Sequence, residues 1–350
     1  MPAADAATSR GPILRPRQLH AVTGRLARAL LTMAAIFGLV PAAARAESRA
    51  AARIVHGIEL DRSRVGPAAA GLSALAEQPG TEIRDGREPP FASAVPVGAT
   101  YDGFRVDGPH LLVERIAFTG PVDIYTRRPV VLRGVSIRTR NEAHWALHTR
   151  PEAGPVLFLW SSAGAASIEG APNDRSRALA RALYLRSDAV TVYRSHLNWT
   201  ADGIQIHARG ARIVESLIDG LTLWTGDHND GIQMLGRGAD AVISRSRIVN
   251  DNPQTSCLNL VGDAVRVEDS YLAGGGWTVY AGGHHPPRQP GMTRNVVFSG
   301  NIFGRDRYPK GGSFGAVTGW DAAGAGNVWR GNRWSDGAAL DLGQPPPRGR

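Results

Sequence analysis

Short apolar stretches recur along the chain in one eight-residue pattern, in which alternating apolar residues lead to a small polar residue at the sixth position. Val190–Leu197 and Ala241–Ile248 are examples, and successive copies from Val190 onward begin 21, 30, 24, 31 and 31 residues apart. A repeat this short cannot bury its apolar side alone, so the spacing is typical of a solenoid whose coils stack on one another. Period-two alternation with almost no helical spacing predicts that each coil is built from short strands.

We therefore predict an all-β fold, a single right-handed parallel β-helix (a solenoid) of roughly eight coils. The handedness follows from the strong preference of parallel strands for right-handed crossovers. Two earlier copies of the pattern, Leu111–Phe118 and Val130–Ile137, extend the solenoid toward the N-terminus, whereas the rhythm blurs over 138–181. The small polar residue at the sixth position is expected at a bend, where its side chain can satisfy backbone groups.

The regions outside the repeats differ in composition. We place the β-helix at 98–342 and a disordered tail, rich in proline, at 343–350. Residues 47–97 are rich in Ala, Gly, Pro, Arg and Glu without a sustained period, which predicts a low-complexity linker or an N-terminal cap with a short helix over Leu72–Glu77.

Residues 1–46 have the character of a secretory signal peptide. Arg25 and Arg28 precede an apolar run from Ala29 to Val40, and small residues around Arg45 suit a cleavage site after Ala46. About twelve apolar residues are too few to cross a bilayer. We therefore expect a periplasmic or secreted protein with no membrane span once the leader is removed.

The charge and cysteine content narrow the partners further. The formal net charge of +9 falls to about +4 without the leader, because that segment contains six Arg and one Asp, so nucleic acid is not an expected partner. The single cysteine, Cys257, excludes a disulfide framework and lies in an apolar run, where a buried thiol is expected. We expect a monomer stabilised by a large core.

One short phrase, Asp-Gly-Ile-Gln, occurs twice at an interval of 28 residues, at Asp202–Gln205 and Asp230–Gln233. Because side chains alternate along a strand and parallel strands stack about 4.8 Å apart, aligning the second strand of each coil predicts two rows. The inward row is Ile204, Ile232, Leu258 and Val279, and the outward row is Tyr184, Gln205, Gln233, Asn259 and Tyr280. Such a trough suits an extended polymer better than a small molecule.

Several residues near this trough could carry chemistry. His228 lies on a loop with nothing apolar to pack against, and His207 stands one outward step beyond Gln205. His284 and His285, in a Pro-rich stretch, could cover the trough.

Two other interpretations of the acidic residues stay open. Asp202 and Asp230 could be turn residues only, with the stacked amides satisfying one another. Alternatively, the two carboxylates could bind Ca²⁺ together with Gln205, because these are hard oxygen ligands. We expect that no cofactor is required, Ca²⁺ being the one option.

The run His228-Asn-Asp-Gly-Ile-Gln233, followed by Ser256–Asn259, Leu272–Tyr280 and Asn327–Trp329, resembles secreted bacterial right-handed parallel β-helix proteins of the pectin-lyase-like superfamily. The resemblance covers roughly 101–340 and implies the fold more strongly than an activity. The paired-Asp and Gly-His-Gly signatures of polygalacturonases are missing, and no clear match to the Asp-Pro-His element of alginate epimerases is present.

We predict that the protein acts on an acidic polysaccharide, by β-elimination of a uronate-containing glycan. This reaction needs a group that neutralises the carboxylate, a base for the C5 proton and an acid for the leaving oxygen. The expected catalytic residues are His228, Tyr280 and Asp230, and the expected substrate-binding residues are Gln205, His207, Gln233, Asn259 and Trp277.

Two other functions are compatible with the same residues. A non-catalytic β-helix protein could bind glycan or act at the cell surface, since fold alone does not specify activity. A glycoside hydrolase would need two carboxyl groups at a defined separation, which Asp202 and Asp230 on adjacent coils could provide.

Overall fold

Three long sheets, each receiving one strand from every coil, form the body of the molecule. The computed structural model describes residues 56–140, 144–167, 179–222, 228–235, 238–282 and 293–342. Within these ranges the strands are numbered β1 to β31 in chain order, and they are accompanied by one short α-helix, α1 (Gly66–Ala69), and by 3-10 turns at Gly57–Glu59 and Arg62–Arg64.

Within each sheet, strands from successive coils lie side by side. Sheet A consists of β1 (Ala76–Gln78), β7 (Ile116–Phe118), β10 (Ser136–Thr139), β13 (Ser162–Ala165), β16 (His196–Asn198), β19 (Leu217–Asp219), β22 (Arg247–Asn250), β25 (Tyr271–Gly274), β28 (Ile302–Phe303) and β31 (Arg333–Trp334). Sheet B consists of β2 (Thr81–Ile83), β8 (Val122–Ile124), β11 (Trp145–Thr149), β14 (Leu179–Leu185), β17 (Thr200–Ile206), β20 (Asp230–Met234), β23 (Ser256–Val261), β26 (Trp277–Gly282) and β29 (Gly315–Thr318). Sheet C consists of β3 (Ser93–Val95), β6 (His110–Glu114), β9 (Val130–Arg133), β12 (Val156–Leu159), β15 (Val190–Tyr193), β18 (Arg212–Val214), β21 (Val242–Ser244), β24 (Arg266–Glu268), β27 (Val297–Ser299) and β30 (Val328–Arg330). A hairpin of β4 (Ala99–Tyr101) and β5 (Phe104–Val106) stands apart from them.

The predicted fold class, an all-β parallel solenoid, is confirmed. Neighbouring strands of sheets A and B are parallel, and in sheet C only the pairing of β3 with β6 is antiparallel. Among the described residues the sheets have ten, nine and ten strands, so there are more levels than the roughly eight coils expected. The additional strands come from residues ahead of 98 and from the stretch where the sequence rhythm blurs.

Residues ahead of position 98 join the solenoid. β1 pairs with β7 and β2 pairs with β8, so this part of the chain forms a first coil ahead of 98, the predicted start of the β-helix. The helix expected over Leu72–Glu77 is not formed, because β1 begins at Ala76; the short helix is α1, which has Pro67 in its first turn.

Residues 56–72, which we call the strap, run along several coils. The Gly57 amide donates to the Asp269 carbonyl (3.0 Å), and the Gly66 amide donates to the Arg194 carbonyl (2.8 Å). At the end of the strap, Leu72 packs directly against Gly134. There is no room for a side chain at Gly134, because an added Cβ would lie 2.9 Å from the Leu72 Cβ. The strap therefore contacts levels of the solenoid that are far apart in sequence.

The core lies between the three sheets and continues along the solenoid. The predicted inward residues Ile204, Ile232, Leu258 and Val279 are fully buried in it, which confirms the assignment of the two strand faces. Cys257 is also fully buried, and burial raises the pKa of its thiol to about 12. Among the described residues no helix is long and apolar enough to cross a membrane. The predicted leader, 1–46, and the predicted tail, 343–350, lie outside these residues.

A buried column of small polar side chains, which we call the corner ladder, stands where sheet C turns into sheet A. Its members are Ser161, Ser195, Ser216, Ser246, Ser270, Asn301 and Asn332. From Ser195 onward, each side-chain oxygen accepts a hydrogen bond from the backbone amide of the member in the preceding coil, at 3.0 to 3.2 Å, and the Ser161 hydroxyl accepts from the Val135 amide at 3.0 Å. The residue before each member has a positive φ, as at Arg194 and Arg245, which makes the bend. The predicted role of the sixth position is thereby confirmed.

We predict that Ser216→Ala lowers the free energy of unfolding by about 1–3 kcal/mol, the usual cost of leaving a buried polar group without a partner. The change removes the acceptor of the Ser195 amide, which lies in the interior. Urea denaturation followed by circular dichroism measures the loss. Ser299→Ala, on the more exposed side of β27, is the matched control, and an equal loss in both variants would contradict the role of the ladder.

Candidate functional site

The outer face of sheet B carries one continuous row of polar and aromatic side chains, one from each strand. We call it the outer row: Glu82, Asp123, His148, Tyr184, Gln205, Gln233, Asn259, Tyr280 and Thr318. These residues are direct register partners from strand to strand. The five residues predicted to form a trough, from Tyr184 to Tyr280, are therefore neighbours as expected, and the row continues beyond both of its predicted ends.

The glycine of the Asp-Gly-Ile-Gln phrase is required by packing. Gly203 and Gly231 lie inside strands β17 and β20 and do not have a positive φ, so these glycines do not make a turn. A Cβ on Gly203 would lie 2.5 Å from Ile218 Cγ2, in the core, and 2.5 Å from the carbonyl oxygen of Gly231. At Gly231 a Cβ would meet Ile248 and the Cys257 carbonyl oxygen in the same way. The glycine lets the strand approach sheet A.

Asp230 is the centre of a hydrogen-bonded cluster at the C-terminal half of the outer row. Its Oδ1 accepts from the Ser256 hydroxyl at 2.5 Å, and its Oδ2 accepts from the side-chain amides of Gln233 and Asn259, both at 3.2 Å. Its backbone amide donates to Asp202 Oδ1 at 2.9 Å. Asp230 is fully buried, so it holds the amides in place and does not itself face solvent.

Burial raises the pKa of the Asp230 carboxyl to about 6, although its hydrogen bonds and the charge of His228 act in the opposite direction. Tyr280 has a raised pKa because of burial and, second, because of the negative charge of Asp230. His228 is exposed at the entrance to β20. Two of the predicted catalytic residues, His228 and Tyr280, thus lie within electrostatic reach of the third, Asp230, and only these two are accessible.

A hydrogen-bond chain links this cluster to the other half of the row. Arg181 Nε donates to Gln205 Oε1 (2.5 Å), and Gln205 Nε2 donates to Gln233 Oε1 (2.6 Å). The Gln233 amide then donates to Asp230, so every donor in the chain points from the guanidinium toward the carboxylate. This orientation fixes which amide oxygen and nitrogen face each coil.

Arginine and aromatic rings dominate the outer face around Tyr184. The guanidinium carbons of Arg181 and Arg186 lie 5.2 and 5.8 Å from the Tyr184 ring centre. His207 meets the same ring edge-on, with ring centres 5.3 Å apart. Burial lowers the pKa of His207, and the positive charges of Arg186 and Arg181 lower it further. The imidazole is therefore neutral at pH 7 and can accept a proton.

The N-terminal part of the row continues this cationic and aromatic surface. His148 stacks on Tyr184 with ring centres 4.7 Å apart, and its Nδ1 lies 3.2 Å from Asp123 Oδ1. Arg150 binds the same Asp123 oxygen at 2.7 Å. Burial lowers the pKa of His148, so this ring is neutral at pH 7 as well. Beyond Asp123 the row reaches a surface pocket lined by Glu82, Arg84, Asp85, Arg87, Tyr125 and Glu152.

The surroundings of Asp202 and Asp230 do not favour a Ca²⁺ site. Both carboxylate oxygens of Asp230 accept hydrogen bonds from protein donors, and Asp202 is buried with Oδ1 bonded to a backbone amide. Gln205 is bonded to Arg181 and Gln233, so its side chain is directed along the sheet. Within the described part of the chain, no group of three or more His, Cys, Asp or Glu residues could hold a metal ion.

Sequence reasoning missed a part of this surface: Asp123, His148, Arg150, Arg181 and Arg186. The register of β8, β11 and β14 places Asp123 and His148 in the row and the three arginines beside it, and the sequence rhythm does not show this register. Trp277 is half-buried at the start of β26, beside Gly315. The predicted covering residues His284 and His285 lie outside the described residues.

Comparison of the chain with models of known families, with curated proteins and with solved structures gave no match. A function for this chain is therefore inferred from the chemistry of the outer row.

We predict that Asp230 makes the folded protein less stable as pH rises from about 4 to 7. Its pKa is about 6 in the folded state and 3.8 ordinarily, so the folded state keeps a proton that the unfolded chain releases. The free energy of unfolding should fall by about 2 kcal/mol over this range through this group. Asp230→Asn should abolish that part of the pH dependence in urea denaturation.

The asparagine removes the titrating group and can keep the hydrogen bonds of the two neighbouring amides. Its oxygen can accept from Gln233 and Asn259, while its amide donates to the Ser256 hydroxyl, which then acts as an acceptor. Identical pH dependence of wild type and variant between pH 4 and pH 7 would contradict the raised pKa. Asp123 does not contribute to this pH dependence. Burial would raise the pKa of its carboxyl, but the contacts with His148 and Arg150 outweigh burial and lower it, so Asp123 titrates below this range.

Proposed function

We propose that this chain is an exported parallel β-helix protein of the pectin-lyase-like superfamily that cleaves an extended, uronate-containing polysaccharide by β-elimination. One observation carries the proposal: a neutral, half-buried histidine, His207, lies against Tyr184 of the outer row, and Arg181 and Arg186 lie near the same tyrosine ring. A base, an acid and a cation that neutralises the carboxylate are the three kinds of group that β-elimination requires, and these residues include all three.

The shape and charge of the outer row support an extended anionic substrate. The row crosses nine parallel strands, and a spacing of about 4.8 Å between strands makes it roughly 38 Å long. Arginine side chains follow it through the N-terminal half, where Arg84 lies 3.5 Å and Arg150 4.8 Å from the centre of the Tyr125 ring. Arg84 and Arg150 pair with Glu82 and Asp123 of the row itself. Arg181 and Arg186, held against the Tyr184 ring, are well placed to bind the carboxylates of a substrate in a defined orientation.

The roles follow from the charges. Arg181 and Arg186 would neutralise the uronate carboxylate, which makes the C5 proton more acidic. The neutral imidazole of His207 would accept that proton, and the electron pair of the C5–H bond would become the C4–C5 double bond. The bond from C4 to the glycosidic oxygen would break, with the oxygen keeping the electron pair and receiving the hydroxyl proton of Tyr184.

The Asp230 cluster suits a binding role in this scheme. A carboxyl with a pKa of about 6 is largely ionised at pH 7 and would repel a uronate carboxylate at short range. Asn259 and Tyr280 can instead bind the hydroxyl groups of neighbouring sugars. This placement differs from the sequence-based prediction, in which His228 and Tyr280 were the base and the acid, and the same experiment distinguishes the two.

A non-catalytic glycan-binding protein is the second candidate, and the fixed arginine–aromatic pairs favour it. A surface that holds anionic sugars needs no proton transfer. The hydrolase interpretation has less support, because the carboxylates of Asp202 and Asp230 are buried and engaged in hydrogen bonds rather than open toward a substrate.

We predict that His207→Ala and Tyr184→Phe each lower turnover at least ~100-fold, the lower range for loss of a general base or acid. The assay follows ultraviolet-absorbing product from pectate, alginate and glucuronan. Tyr193→Phe, at an outward position of sheet C, is the matched control and should retain full activity. Chelation with EDTA should leave turnover unchanged, because no step uses a metal.

Three other outcomes of this assay would change the proposed site or the proposed function. Activity lost in His228→Ala and Tyr280→Phe but kept in His207→Ala would place the chemistry at the C-terminal half. A wild-type protein that yields no unsaturated product from any polymer, yet is retained by one of them on an affinity gel, would establish the binding candidate. New reducing ends without ultraviolet absorption would indicate a hydrolase.

Export can be tested separately. We predict that the protein expressed with its leader in a Gram-negative host is recovered from the periplasm or the medium with Glu47 as its first residue. N-terminal sequencing of the purified protein checks this. Recovery of the full-length chain from the cytoplasm would contradict it.

A further inference from the structure

Two aromatic side chains lie side by side at the C-terminal end of the outer row. Trp277 begins β26, the strand of Tyr280, and Phe314 directly precedes β29, the strand of Thr318. Their ring centres are 6.5 Å apart and their planes differ by 48°. Phe314 is 63% exposed, and no other Phe, Tyr or Trp among the described residues is exposed to this extent.

Two glycines make room for these rings. A Cβ on Gly315, the register partner of Trp277, would overlap the six-membered ring of the indole. A Cβ on Gly276 would lie 3.1 Å from two carbon atoms of the Phe314 ring. The Trp277 ring thus lies over the backbone of β29, and the Phe314 ring lies over the backbone just before β26. A side chain at either glycine would displace the ring.

The loop that carries Phe314 is held by hydrogen bonds, although the ring itself is exposed. The Phe314 and Ser313 amides donate to the carbonyls of Gly276 (2.7 Å) and Gly275 (2.9 Å), and the Ser313 hydroxyl donates to the Pro253 carbonyl (3.0 Å). An apolar ring presented to solvent on an anchored loop is pre-organised for a ligand, since little further ordering is needed on binding.

We infer that Trp277 and Phe314 form a stacking subsite, the aromatic platform, for one sugar ring of the polysaccharide. A pyranose presents C–H groups on its face and hydroxyl groups at its rim. The face can pack on aromatic rings and displace water from them, while Asn259 and Tyr280, which follow in the outer row, can bind the rim. The identity of the ligand as a glycan rests on the proposed function.

The position of the platform predicts how it affects binding. It lies at the level of β26, four strands from Tyr184, which is about 19 Å at a strand spacing of about 4.8 Å. Only an oligosaccharide long enough to cover that distance can contact the arginines and the platform at once. Short oligosaccharides bound at the arginines should therefore not respond to changes in the platform.

The test measures binding of short and long oligosaccharides, prepared from pectate, alginate and glucuronan, by isothermal titration calorimetry. All variants are made in the His207→Ala protein so that no oligosaccharide is cleaved. Phe314→Ala should weaken binding of the long oligosaccharides about tenfold, which corresponds to about 1.4 kcal/mol, and leave the short ones unaffected. Phe314→Tyr should retain wild-type affinity, and Val97→Ala, which removes an exposed apolar side chain elsewhere, is the control.

Three results would overturn the inference. One is an unchanged affinity of Phe314→Ala for every oligosaccharide, and another is an equal loss for short and long ones, which indicates a structural effect. The third is a protein that binds none of these oligosaccharides. Length-dependent binding that requires Phe314, in a wild-type protein that forms no unsaturated product, would retain the platform and refute only the elimination reaction.

Discussion

The corner ladder is the interaction on which the remainder of the structure depends. In a parallel solenoid each coil could slide along its neighbour, and a shift of one residue would move every inward side chain to the outer face. The ladder prevents this, because each buried backbone amide at the bend finds its acceptor only in the matching residue of the next coil. The register of sheet B, and therefore the alignment of the outer row, follows from this alignment of the coils.

With the register fixed, the outer face acquires two chemically different halves. The N-terminal half presents arginines held against rings, and the C-terminal half presents amides bound to a buried carboxyl group. The chain from Arg181 through Gln205 and Gln233 to Asp230 joins them with a single direction of hydrogen bonding. An extended polymer lying on this face would therefore encounter different chemistry at its two ends, which gives the face a polarity that the repetitive fold itself lacks.

The sequence predicts the repetitive features of this protein well, and the irregular ones poorly. Ser216 and Ser246 could be assigned to a bend, and Ile232 to the interior, because the eight-residue pattern repeats around them. Arg181 and His148 could not be placed, since they belong to coils in which the spacing changes and only the strand pairing shows their positions. The need for glycine in each Asp-Gly pair could not be predicted either, because it comes from a contact with another sheet, through Ile218 and Ile248, which no local pattern records.

The strap should make unfolding of this solenoid more cooperative. In repeat proteins each coil usually contacts only its neighbours, so the ends can fray while the middle stays folded. Here one segment is bonded to Asp269, to Arg194 and, through Arg62, to Asp219, and it ends against Gly134. Fraying of any coil along this span breaks contacts that also hold distant coils. The protein should therefore unfold over this span in one cooperative step, as a globular domain does, although its architecture is that of a linear array.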